Sequence, residues 1–227
     1  MGRVGSRAGF TSPRPDGASC RDSLIPGLGV PTDGLRMSLE VVERSLEDPQ
    51  VWRSLFRILE RNSLCAIATV SPQEEAHINT AYFAYTPDLN LYFYSYPETH
   101  HALNIGTNRS MAVAVFDSEQ SWGLPDRGLQ LFGQGNVASG RFAREAERVY
   151  DRRFPAHAQW KLPLSQAESG SAPRPYRFRT RSVKLFDERT FGAGVFVHAT
   201  VPARWTTPPR APVAAAPFTR RRAHGPV

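Results

Sequence analysis

The chain has 227 residues, 41% hydrophobic and 11% aromatic, enough to bury a core, and its 28 Lys and Arg against 21 Asp and Glu give a formal net charge of +7. That excess sits at the ends: residues 1–36 hold five Arg against three Asp, the tail from Pro202 holds five Arg and no acid, and 18 basic and 18 acidic residues remain between them. A neutral central part argues against the basic face that nucleic-acid binding needs, so the pI near 9.9 does not imply a nucleic-acid partner.

No apolar run approaches the roughly 20 residues of a membrane helix, and residues 1–36 lack the apolar stretch of a signal peptide; a cytoplasmic protein with no membrane association is expected. Gly, Pro, Ser and Arg crowd both ends without helical or strand period. This predicts disordered extensions at 1–36 and 202–227 around one domain at 37–201. Cys20 falls in the first extension and Cys65 inside an apolar strand, so neither a disulfide framework nor a Cys-based zinc site is predicted.

From Met37 a helical start is expected, with Ser38 or Asp48 as cap and Val51, Trp52, Leu55, Phe56, Ile58 and Leu59 on one face. Three strands follow at 64–71, 77–85 and 89–96, with the Pro87-Asp88 turn between the last two. A helical turn over Thr99–Asn108 leads to strands at 111–117 and 128–139, a helix over 141–155 carrying Phe142, Ala146, Val149 and Tyr150, and an alternating strand at 176–188. Short strands with tight connections predict a mainly β, antiparallel barrel with flanking helices. The stretch GQGNVA at 133–138 matches a dinucleotide-binding glycine pattern, but the strand runs on through Asn136 and Val137, so bent-strand glycines are the better reading.

Two adjacent histidines, His100 and His101, open the helical turn. Without Cys, Asp or Glu at ligand spacing they are poor metal ligands, and no metal site is predicted. Contact with an anion, a structural role and a haem role stay open for them.

In order, CAIATVS, two strands ending in YFYS, THHALNIGTN, MAVAVFD and WGLPDRGLQLFG, the motifs resemble the FMN-binding split-barrel family related to pyridoxamine 5′-phosphate oxidase, over roughly Leu64–Phe154 and again at VKLFDERTFG. The resemblance implies a six-stranded antiparallel Greek-key split β-barrel, usually a homodimer with FMN at the subunit interface. It also implies flavin contacts from Tyr94 and Ser95, from Thr99, His100 and His101 where the oxidase has Ser-Arg-Lys, from Trp122 and Arg127, and from Asn79 and Ala84 where the oxidase has Arg and Lys. Gly133 closes the corresponding strand. All four basic positions have lost permanent charge here, although Asn79, Ser95, Thr99 and backbone N–H groups can still donate to a phosphate. Arg127 has a second reading as a surface ion pair with Asp126 or Asp117, and Asn104 and Asn108 are read as helix-turn caps. The implied function is FMN-dependent oxidoreduction of a small, planar substrate other than pyridoxamine phosphate. The alternative is a non-catalytic flavin-, F420- or haem-binding barrel.

Overall fold

The computed structural model describes residues 39–160 and 172–202. The extensions expected at 1–36 and 202–227 lie outside these residues, apart from Pro202, as does Ser38. Asp48 caps the first helix, α1 (Pro49–Arg61): its carboxylate accepts from the Gln50 N–H, and Pro49 occupies the first turn, where its missing donor costs nothing. Val51, Trp52, Leu55, Phe56, Ile58 and Leu59 are all buried on one face, as their spacing requires.

Chain order is β1 (Glu40–Glu43), α1, β2 (Leu64–Val70), β3 (Ala76–Tyr82), β4 (Ala84–Tyr85), β5 (Asn90–Ser95), α2 (His100–Thr107), β6 (Ser110–Phe116), β7 (Arg127–Val137) and α3 (Arg141–Arg153). A 3-10 turn at Pro155–Trp160 follows, then β8 (Arg174–Asp187), α4 (Glu188–Phe191) and β9 (Val195–Thr200). Six strand positions make an antiparallel split barrel: β7 pairs β6, β6 pairs β2, β2 pairs β3, β4 pairs β5, and β5 pairs β8, which returns to β7. The split lies at Phe83, because β3 pairs with β2 while its continuation β4 pairs with β5. The single strand expected at 77–85 is therefore two.

Residues 40–43 are a strand, not the expected helical start. β1 pairs in parallel with β9, which itself pairs β8, so a partner more than 150 residues away in sequence overrides the local pattern. β7 runs unbroken through Gly133–Val137 with a bulge at Phe132/Gly133, as the bent-strand reading of its glycines requires. A Cβ at Gly133 would come within 2.1 Å of the Arg179 carbonyl oxygen, so the bulge admits no side chain there.

One core fills the barrel and takes in the apolar face of α1; a second small cluster joins Ala84 and Tyr92 to Ala146, Val149 and Tyr150 of α3. Arg153, in the last turn of α3, donates through Nη2 to the Leu59 and Asn62 carbonyls at the end of α1, at 2.6 and 2.5 Å. No helix among the described residues is long and apolar enough to cross a membrane.

Candidate functional site

Strand alternation decides which β5 side chains can reach α2. Leu91, Phe93 and Ser95 point one way, and Tyr92 and Tyr94 the other. Ser95 Oγ lies 2.7 Å from His101 Nε2 and 3.0 Å from Thr99 Oγ1, and Thr99 Oγ1 donates to the Tyr96 carbonyl at 2.8 Å and sits 3.3 Å from the same imidazole nitrogen. Thr99 is the N-cap of α2 by position, but its hydroxyl is turned back to Tyr96 and makes no side-chain cap bond. Hydroxyls, an imidazole and a helix N-terminus thus converge, a donor set suited to an anion.

The ladder brings a third histidine that sequence reading passed over. Thr69 of β2 pairs with His77 of β3 and accepts a hydrogen bond from the buried Asn104 Nδ2 of α2. Asn104 therefore ties helix to sheet and does not cap, whereas Asn108 is the C-cap as expected, its backbone N–H bonded to the Asn104 carbonyl. That tie sets the His77 ring 5.6 Å from the His100 ring and 6.3 Å from the His101 ring, nearly parallel to the latter. Burial pushes the His101 pKa below its ordinary value, and the neighbouring His77 and His100 push it the same way. Two positions along β3, Asn79 has its Oδ1 buried without a hydrogen-bond partner. Oxygen and nitrogen of an amide are assigned from their partners, so this orphan end can equally present the donor NH₂.

The other predicted residues lie elsewhere. Tyr94 packs edge-on to Tyr150 of α3 at 4.9 Å and against His157 at 4.8 Å, on the opposite face from Ser95. Ala84 is fully buried in the α3 cluster. Trp122 is fully exposed in the loop after β6, at the far end of that strand from the histidines. Arg127 is not paired with Asp126 or Asp117: its Nε lies 3.8 Å from Oδ1 of the buried Asp187, its ladder partner, whose Oδ2 accepts from Ser54 at 2.5 Å and Thr190 at 2.9 Å. Of the predicted residues the structure brings Ser95, Thr99 and His101 into hydrogen-bond contact, while His100 meets the ring of His77, a residue the sequence reading did not include. Strand alternation alone would have separated Tyr94 from Ser95.

Beside Arg127 runs a groove of about 280 Å³ lined by Phe116, Gln130, Lys184, Phe186 and Phe196, where Phe186 and Phe196 stack at 4.5 Å. It borders an outer sheet face of small residues, with Ala66 opposite Ala114 and Ala68 opposite Ala112, flanked by exposed Ile78 and Phe132. Among the described residues no group of three or more His, Cys, Asp and Glu is placed to hold a metal ion.

Fold and site together define a split-barrel protein with a hydrogen-bonded group of hydroxyls and an imidazole at the start of α2. The pyridoxamine 5′-phosphate oxidase family model matches residues 52–182, more than half of the chain, and the chain belongs to that family. No curated protein matches the sequence. Solved structures with the same fold include a haem-binding protein from Mycobacterium smegmatis (14% identity, TM-score 0.51, covering 63% of this chain and 55% of that one). Another is a putative 5-nitroimidazole antibiotic resistance protein from Bacteroides thetaiotaomicron (15%, 0.50, 62% and 86%). A protein of unknown function from Agrobacterium tumefaciens also matches (24% identity, TM-score 0.46, covering 56% of this chain and 52% of that one). The chain thus spans about half the length of the Agrobacterium and Mycobacterium proteins. At these identities the likeness is one of fold.

Proposed function

We propose that this chain is the subunit of a homodimeric FMN-dependent oxidoreductase acting on a small, planar substrate. The observation that carries the proposal is the hydrogen-bonded group of Ser95, Thr99 and His101 at the start of α2, with the orphan amide of Asn79 two positions beyond His77 on β3. These residues fit a phosphate: Ser95 and Thr99 offer hydroxyls, His100 and His101 offer imidazoles, and the first turn of α2 offers backbone N–H groups. When bound, the flavin supplies the hydride and electron chemistry, while the protein binds, orients and excludes water. The oxidase's basic positions are missing, so pyridoxamine phosphate is not the expected substrate.

The homodimer part of the proposal rests on the alanine face of β2 and β6 and on the exposed Trp122. Small side chains let two sheets approach closely. A two-fold axis through the middle of that face would exchange the ends of β6, carrying the Phe186–Phe196 groove and the Trp122 loop of one copy toward the histidine rim of the other. Within the groove, stacked phenylalanines offer a flat apolar wall for a planar ring.

A second reading, a non-catalytic carrier or sensor of flavin, F420 or haem, is favoured by the three imidazoles, which could also face a haem iron, and by the haem-binding Mycobacterium protein of the same fold. Titrating the purified full chain with FMN, F420 and haemin in separate samples separates the readings. A saturable, perturbed flavin band with electron-donor turnover supports the oxidoreductase. Flavin binding without turnover by any donor, or a haemin Soret shift alone, supports the carrier. Binding of none of the three refutes both.

A further inference from the structure

We propose that His77, His100 and His101 act together as a proton-coupled anion receptor: a phosphate monoester binds among the rings of β3 and α2, and the rings take up protons from solvent as it does so. The inference rests on the phosphate placement above and adds His77 to the site along with the source of the missing positive charge. An imidazole with two others at 5.6 and 6.3 Å from it is a poor structural choice when all are charged and an effective one around a dianion.

The hydroxyl relay gives the coupling a geometry. Thr99 spends its hydrogen on the Tyr96 carbonyl, so its oxygen can accept from Ser95, and Ser95 can alternatively donate to neutral His101 Nε2. Once His101 is protonated, Nε2–H must donate, Ser95 Oγ accepts, and the Ser95 hydrogen is released toward Thr99 or toward the anion. Protonation of the ring and presentation of a hydroxyl donor therefore occur together.

Among the described residues no ion pair joins His77, His100 or His101 to a carboxylate. Neighbouring elements carry Glu74 and Glu75 in the turn before β3, Glu98 ahead of α2, Arg109 ahead of β6 and Arg174 opposite Ser95 on β8. β2 contributes Thr69 and β5 contributes Phe93, both neutral. Among the described residues, the carboxylates that pair with histidine are Asp151 on His157 and Glu43 on His198, neither of them at this site.

The sign follows from linkage. Burial and the neighbouring His77 and His100 hold the His101 pKa below its ordinary value in the free site, and an anion draws it back up. Binding then takes up a proton between the free and bound values, so affinity falls as pH rises through the bound value. Each ring whose pKa is raised by one unit contributes about tenfold. Below about pH 6 the phosphate itself takes a proton and the gain levels off.

The test uses the full chain. FMN and riboflavin, which lacks the phosphate, are titrated by flavin fluorescence from about pH 8 to about pH 6, for the native chain and for His77→Gln. In parallel, the imidazole Cε1–H resonances are followed with and without excess inorganic phosphate. Expected are a tightening of FMN by about tenfold or more on acidification, little change for riboflavin, a shallower slope in His77→Gln, and raised titration midpoints in phosphate. Unmoved midpoints in phosphate, or FMN affinity independent of pH, overturn the inference. If flavin fails to bind at all while phosphate still raises the midpoints, the receptor stands and the flavin reading falls.

Discussion

Removing Arg153 should uncouple α3 from α1. Its guanidinium lies 4.6 Å over the Phe83 ring and 4.9 Å over the Tyr85 ring while Nη2 donates to two carbonyls at the α1 terminus, one of them belonging to the Asn62 cap. Those carbonyls have no partner inside α1. Two hydrogen bonds from a charged donor, at about 1.5 kcal/mol each, are lost in Arg153→Ala. The desolvated cation–π contact adds about 1 kcal/mol. Burial already depresses the guanidinium pKa, a desolvation cost that the substitution relieves, and an offset of about 1 kcal/mol leaves a net loss of about 3 kcal/mol. Arg153→Met keeps the apolar stem but loses the same hydrogen bonds and cation, so it should also lose about 3 kcal/mol, with any further loss in Arg153→Ala reporting stem packing. The assay is urea unfolding followed by far-UV circular dichroism and by the fluorescence of the buried Trp52 of α1. A loss below about 1 kcal/mol in Arg153→Ala, or Arg153→Met equal to the native chain, would refute the capping argument.

Other substitutions separate scaffold from site. Gly133→Ala should cost about 3 kcal/mol or prevent folding, because its Cβ meets the Arg179 carbonyl, while Gly106→Ala in α2, where nothing lies within 4 Å, should be neutral or stabilise by up to about 1 kcal/mol; thermal melting of the pair checks both. Arg127→Ala should destabilise by about 1–3 kcal/mol, by leaving the buried Asp187 carboxylate without its nearest cation, and should weaken FMN binding no more than Ser54→Ala does; denaturation and flavin titration of the two variants decide whether Arg127 serves the fold or the flavin. Because His101 is held below its ordinary pKa, the unfolded chain takes up a proton first as pH falls through about 6.5, so native stability drops on acidification; His101→Asn should flatten that drop in urea midpoints measured from pH 7.5 to about 5.

Much of this fold is legible locally, because period and punctuation are local properties. Val51 to Leu59 repeat at helical spacing behind Asp48 and Pro49, and LCAIATV alternates buried and half-buried residues along β2. Pairing between distant segments is not legible in the same way. β1 is a strand because β9 lies beside it, and Asp187 captures Arg127 because a bulged ladder sets them opposite each other; neither fact exists in a window of a dozen residues. His77 belongs to the same class, since only the β2–β3 register and the Asn104–Thr69 bond carry it to α2. Tyr94 is a different case: its place follows from the alternation of β5, and motif order alone obscured it.

The lost basic residues also have more than one physical cause. Ala84 is fully buried under α3 beside Tyr92 and Ala146, so a lysine there would bury an ammonium in an apolar cluster, and packing alone accounts for the small residue. At positions 100 and 101 no such constraint applies. His100 is exposed and His101 half-buried against Ser95 and Thr99, and Asn104 ties the same helix to β2. On the receptor proposal, imidazole at these two positions, with a third supplied by β3, gives a charge that appears when an anion arrives, where arginine and lysine would hold it permanently.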